Sequence, residues 1–275
     1  MRDWNLRRLR ERYKLATAAP RPDGVFESRW TTVDGVRLHC RATREDPAGR
    51  TPVLLVHGLT VSHRYLMPLA ARLAERHPVR ALDMPGFGLS GDPAATPDVA
   101  ALAGWIASWI KAVDEGPVAV LGNSFGAQVA TALAAGHPDL VRCLILVGPT
   151  MDPSAPTKLR QTWRWVRGLP HEDPGQFPVL LRDLADAGLK RAWRTFGIAL
   201  DDRIERRLPD VRAPVLIARG AKETVAPQSW VRQLDRVLPR AETAVVPGAP
   251  HDANYTSPDE LAALVFPFLE AELGE

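Results

Sequence analysis

The chain of 275 residues has only two cysteines, Cys40 and Cys143, so a disulfide framework is excluded. Reduced thiols in the cytoplasm are the expected state. No apolar run approaches the roughly 20 residues that a membrane-spanning helix needs. Arginine interrupts the opening MRDWNLRRLRERYKLATAAP throughout, so it lacks the apolar stretch of a secretory signal. An excess of one charge is missing too: 35 basic residues face 32 acidic ones, and the net charge of +3 carries no nucleic-acid footprint. Zinc-ligand spacings and a P-loop are absent. One literal G-x-G-x-x-G, from Gly86 to Gly91, lies in a proline-rich loop rather than ahead of a helix, so no dinucleotide site is expected. Neither a cofactor nor a metal is expected. No repeat recurs at a fixed period, which argues against solenoids and propellers.

The sequence does have the ordinary make-up of a globular protein, with 45% hydrophobic and 24% charged residues. Residues 26–33 and 36–42 read as strands, and Asp34-Gly35 between them is a two-residue hairpin signal. Buried-strand runs follow at 52–57 (PVLLVH), 79–83, 118–122, 143–148, 214–220 and 242–247. Helical spacing over about 65–77, 99–114, 125–137 and 258–273 separates most of them. This alternation predicts an α/β fold: a mostly parallel central sheet with helices on both faces and N-terminal hairpin strands. The long interval after the sixth strand has no strand signal but three helical stretches, so it reads as an inserted helical cap. The expected organisation is an extension over 1–22 with a short arginine-faced helix, a core of 23–148 and 209–275, and a cap over 149–208.

The chemical signal is Gly122-Asn123-Ser124-Phe125-Gly126, between a strand and a helix. A nucleophilic serine needs a turn tight enough to lift its hydroxyl clear of the backbone, and the flanking glycines let strand and helix approach. The N–H of Phe125 then faces a developing oxyanion at the helix start. His57-Gly58-Leu59-Thr60 ends another strand, and the Leu59 N–H is the expected second donor, with His57 a structural hydrogen-bonder. Of the seven histidines, His251 lies just past the last strand, at the same sheet edge as Ser124, and is the expected base. His39 and His63 have no such context, and His77 and His137 read as surface or capping residues before proline. An acid must hold the base's tautomer. Glu223 follows the strand at 214–220, Asp152 follows the one at 143–148, and both are topologically allowed; Glu223 is preferred, in the chain order Ser124, Glu223, His251.

These motifs, with DMPGFGLSGDP at 83–93, resemble the α/β-hydrolase fold superfamily over roughly residues 30–150 and 210–273. The resemblance implies a Ser–His–acid triad and a helical cap. The family usually carries aspartate where Glu223 stands, which keeps Asp152 in play. Serine at 124 is unlike the aspartate nucleophile of haloalkane dehalogenases and epoxide hydrolases, and neither cysteine falls at the elbow, as it does in dienelactone hydrolases. Asp83 and Ser90 read as structural, and Cys143 as a buried thiol. Cap residues Trp163, Trp165, Phe177, Trp193 and Phe196 suit an apolar substrate, while Arg160, Arg164 and Arg167 mark a basic face. The expected activity is hydrolysis of an apolar, ester-like small molecule (an ester, thioester or lactone). Carbon–carbon bond hydrolysis of ring-cleavage products and receptor-like ligand binding stand as alternatives. The expected partners include no nucleic acid and no membrane span, with the chain alone or as a homodimer.

Overall fold

The computed structural model describes residues 24–275; the helix expected within 1–16 lies outside them. Eight strands form one sheet: β1 (Phe26–Val33), β2 (Val36–Thr43), β3 (Val53–Val56), β4 (Val79–Leu82), β5 (Val118–Asn123), β6 (Val141–Val147), β7 (Val215–Gly220) and β8 (Ala241–Val246). Their order across the sheet is β1-β2-β4-β3-β5-β6-β7-β8. β1 and β2 pair antiparallel through the Asp34-Gly35 turn, where both residues have positive φ, as a type I′ hairpin demands. β2 meets β4 antiparallel, and all later neighbours are parallel.

The apolar runs of β3, β5, β6 and β7 alternate between two cores. Leu54, Val120, Leu146 and Ile217 join the cluster on one face, while Leu55, Leu121, Ile145 and Leu216 join the other. Helices α1 (His63–Leu73) and the C-terminal Pro258–Leu273 cover the second face. Helices α2 (Val99–Ala112) and α3 (Phe125–Gly136) cover the first. A further helix there, Gln228–Val237, was not among the helical stretches read from the sequence. Only Trp230, Val231 and Leu234 are buried on it, a thin apolar stripe in an otherwise polar run. β8 also differs from the expected buried strand: it is an edge, and Glu242, Thr243 and Val245 are exposed.

Between β6 and β7 the chain forms helices α4 (Lys158–Gly168), α5 (Phe177–Ala187) and α6 (Leu189–Asp201), with short helical turns between and after them. Buried polar links join them to the sheet layer. Arg64 on α1 contacts Asp183 and Asp186, and the Ser62 hydroxyl donates to Asp183 at 2.9 Å. Gln128 on α3 donates to Ala199 O at 2.9 Å and to Asp202 at 3.0 Å.

Backbone approaches backbone closely at the β5–α3 turn. A Cβ on Gly126 would lie 2.2 Å from Val56 O, and one on Gly122 would lie 2.4 Å from Gly126 O. Gly126→Ala should therefore destabilise the fold by about 1–3 kcal/mol or more, read as a lower urea midpoint with an unchanged slope.

Candidate active site

The carboxyl edge of the parallel strands collects the candidate residues. Ser124 lies between β5 and α3 with φ 55° and ψ −120°, a conformation rarely held by a residue with a side chain. The strain is held by packing on both sides, because strand and helix meet through Gly122 and Gly126. Tyr65 on α1 donates its hydroxyl to Asn123 Oδ1, and Asn123 Nδ2 donates to Val147 O at 3.3 Å, fixing the residue before the turn.

His251 follows β8 and reaches back across the edge. Its Nε2 lies 2.9 Å from Ser124 Oγ, and its Nδ1 lies 2.6 Å from Glu223 Oε2. Glu223 stands in the loop after β7, where its other oxygen accepts the Val225 N–H at 2.6 Å and its own carbonyl accepts from Arg219 at 3.0 Å. The structure thus brings Ser124, His251 and Glu223 into one hydrogen-bonded line. Asp152 does not join it: its carboxylate accepts from Ser154 N–H and hydroxyl and from Arg164 at 2.6 Å. Room for the longer acid comes from Gly148, at the end of β6, where a Cβ would lie 2.9 Å from Glu223 Oε2 and 3.1 Å from His251 Nδ1.

Burial opposes the charge on both partners, but each supplies the counter-charge the other needs. Burial would push the His251 imidazole down; the Glu223 carboxylate, helped by Asp252 and Glu172, instead raises it to about 9. Burial likewise works against the Glu223 carboxylate, and His251 with the loop N–H groups holds it below its ordinary value. The pair favours imidazolium and carboxylate, the state that forms when the imidazole accepts a proton from a hydroxyl.

Leu59 borders the cavity beside Ser124, and Phe125 begins α3 immediately after it, so both expected donors flank the serine along the chain or in space. His57 is tied up: Nε2 accepts the Met84 N–H at 3.0 Å, which leaves Nδ1 to donate to Gly58 O at 2.9 Å. The cavity over Ser124 measures about 700 Å³. Its apolar lining includes Trp165, Phe177, Leu184, Trp193 and Phe196 from the inserted helices, so four of the five aromatic residues read from the sequence reach it; Trp163 does not.

Two clusters escaped the sequence reading. Glu172, between α4 and α5, accepts from the backbone N–H of His251 (3.0 Å) and Asp252 (3.2 Å) through Oε1, and from Thr256 and Gln176 through Oε2. No local motif marks it, since its partners in the His251 loop lie about 80 residues away. Asp83 accepts from His39 Nδ1 (2.9 Å), His63 Nδ1 (2.8 Å) and the N–H groups of His63 and Leu89. Among the described residues these three form the one group with a metal-like donor set. With both imidazole Nδ1 atoms aimed at a carboxylate that also accepts two N–H groups, it is a hydrogen-bonded strut between β2, β4 and α1. Burial pushes His39 down to about 4, which keeps it neutral. Ser90 donates to Asp83 O and accepts the His39 N–H, so the structural reading of both residues holds. His77, read as a surface or capping residue, is buried rather than at the surface, with Nδ1 toward Thr51 O and its N–H on Leu73 O at the end of α1. Cys40 and Cys143 are buried and unpaired, and burial pushes the Cys143 thiol up to about 12.

Residues 53–264 match the model of the alpha/beta hydrolase family. A 2-(acetamidomethylene)succinate hydrolase of Mesorhizobium japonicum is 27% identical over 271 residues, spanning 90% of this chain and 96% of the relative. A pimeloyl-[acyl-carrier protein] methyl ester esterase of Neisseria meningitidis serogroup B is 30% identical over 260 residues, spanning 85% and 98%. The crystal structure of a membrane phospholipase A superposes with a TM-score of 0.77 at 21% identity, over 98% of this chain and 93% of that one, a likeness of fold alone.

Removing the Glu172 charge should lower the pH at which His251 titrates, because one carboxylate favouring the imidazolium is lost. NMR titration of the His251 ring in Glu172→Gln measures this. Glu172→Ala should in addition cost about 1–3 kcal/mol for each buried N–H left without an acceptor, seen by urea unfolding.

Proposed function

The chain belongs to the alpha/beta hydrolase family, and from that membership we propose that it is a serine hydrolase of carboxylic esters, thioesters or lactones bearing an apolar acyl or alcohol group. The observation that carries the reading is the hydrogen-bonded line from Ser124 Oγ through His251 to Glu223, on a strained serine at the floor of an apolar cavity. The methyl-ester activity named for the Neisseria relative supports the ester class.

In this mechanism His251 takes the hydroxyl proton as Ser124 attacks the carbonyl carbon, and Glu223 stabilises the imidazolium. The Leu59 and Phe125 N–H groups hold the tetrahedral oxyanion. Collapse of the intermediate expels the leaving group, which takes the proton from His251, and an acyl-enzyme on Ser124 remains. A water molecule, deprotonated by the same imidazole, then releases the acid and restores the serine. The acid's work is electrostatic and orientational, so the glutamate at 223 serves wherever its longer stem is accommodated, as Gly148 does here.

The test joins intact-mass labelling by a fluorophosphonate probe to turnover of p-nitrophenyl esters of increasing acyl length. One adduct is expected, absent in Ser124→Ala, together with ester turnover; no adduct and no turnover would sink the reading. Glu223→Gln should reduce kcat by up to about 10⁴-fold, as loss of the tautomer-holding acid does in such sites. Asp152→Asn should leave kcat essentially unchanged.

The pH profile follows from the imidazole. Neutral His251 is the active form, so kcat/KM should rise with pH, reach half its maximum near its pKa of about 9 and level off above it. Glu223→Gln removes the charge that raises that pKa, so the rising limb should move to lower pH while its plateau falls.

A further inference from the structure

Four large apolar side chains line the cavity and also reach solvent: Trp165 on α4, Leu181 on α5, and Leu189 and Trp193 on α6. Leu181, Leu189 and Trp193 are 68, 75 and 65% exposed. A single exposed leucine is ordinary, but four such residues around one opening form a patch. The outer face of α4 enlarges it with Leu159 and Trp163, one turn apart and 80 and 62% exposed. Lys158 joins α4 to α6 here, its ammonium 3.7 Å from the Trp193 ring centre.

The exposed charge of the segment that carries this patch is mostly positive. Arg160 and Arg167 on α4 and Lys190 and Arg194 on α6 are exposed. Of the eight acids in residues 149–208, Asp152, Glu172, Asp183 and Asp186 are buried, Asp202 and Glu205 are half-buried, and Asp173 and Asp201 are exposed. The inserted segment therefore exposes six lysines and arginines against two acids and buries half of its carboxylates.

We propose that this apolar, cationic rim docks on the surface of an anionic lipid bilayer and sets the cavity mouth against the acyl chains. Indole and leucine side chains seat at the headgroup boundary, and the arginines and lysines meet lipid phosphates. A second copy of the chain is a poor occupant, since a two-fold contact would press these cations against themselves. Any partner on the rim also covers the entrance to Ser124, so it must itself deliver the substrate. A lipid leaflet does so, because an acyl chain passes from bilayer to apolar cavity without crossing water. The choice of a lipid leaflet over an acidic protein rests on the ester-hydrolase reading; the apolar and cationic character of the rim does not.

The experiment is vesicle flotation of the full-length chain carrying Ser124→Ala, so that binding is read without turnover. The vesicles are phosphatidylcholine alone or phosphatidylcholine mixed with phosphatidylglycerol. Binding to the mixed vesicles is expected, weakening with salt, with little binding to phosphatidylcholine alone. Arg160→Ala/Arg167→Ala should lower the partition coefficient about thirtyfold, because each cation near an anionic surface adds about 1 kcal/mol. Leu159→Asp/Trp163→Asp should abolish binding, and in the otherwise wild-type chain should leave hydrolysis of a water-soluble ester intact, since neither residue lines the cavity. No flotation with mixed vesicles overturns the proposal and leaves an acidic protein as the occupant. Flotation that both double variants leave intact also overturns it and moves the contact to another element, the arginine-rich residues 1–16 first. Vesicle binding without a Ser124-dependent adduct would sink the hydrolase reading alone.

Discussion

The distance between α3 and β3 governs the rest of the site. With hydrogen in place of a side chain at Gly126, the first turn of the helix rests against the Val56 and His57 carbonyls, and a methyl group there would sit 2.2 Å from Val56 O. That contact presses the β5–α3 turn tight enough to hold Ser124 at positive φ, and it brings the loop bearing Leu59 beside the serine. A matching contact operates at the far end of the sheet, between the ends of β7 and β8. At Gly220 a Cβ would lie 2.2 Å from both Ala249 O and Pro250 O, so the loops carrying Glu223 and His251 pack backbone against backbone. The hydrogen-bonded line across the sheet edge is thus set by two places where no side chain intervenes, and the imidazole bridges the gap between them.

Much of this was legible in the sequence because it is local. The runs VLLV, VAVLGN and VLIARG are apolar at both alternating positions, which only a strand covered on both faces requires, and the structure has strands there. The glycines two residues either side of Ser124 announce a close approach before any partner is known. The rule that parallel strands present their carboxyl ends to one edge was enough to put His251 on the side of Ser124 and to narrow the acid to Glu223 or Asp152. What stayed hidden depends on distant partners. Glu172 gives no local sign that it grips the His251 loop, and His39 and His63 read as unrelated residues until β2 and α1 bring both to Asp83. Asp152 and Glu223 could not be ranked by topology alone; what separates them is Arg164, which takes up the Asp152 carboxylate.

The inserted helices act on the site through its polar anchors as well as its apolar lining. Arg64 with Asp183 and Asp186, and Gln128 with Asp202, tie these helices to α1 and α3. Glu172 goes further, because its carboxylate reaches the backbone of the residue that contacts Ser124. The segment that lines the cavity therefore also sets the electrostatic surroundings of the imidazole, so a change in how it sits is felt at the serine without any change in the serine's own neighbours.

Gly148 and Glu223 amount to one dimension of the molecule expressed at two positions. The carboxylate stem fills the space that a side chain on β6 would otherwise take. An aspartate grafted at 223 would fall short of the imidazole, and a larger residue at 148 would push the glutamate off it, so neither position can be redesigned alone. Anyone transplanting this loop into a related scaffold must carry the end of β6 with it.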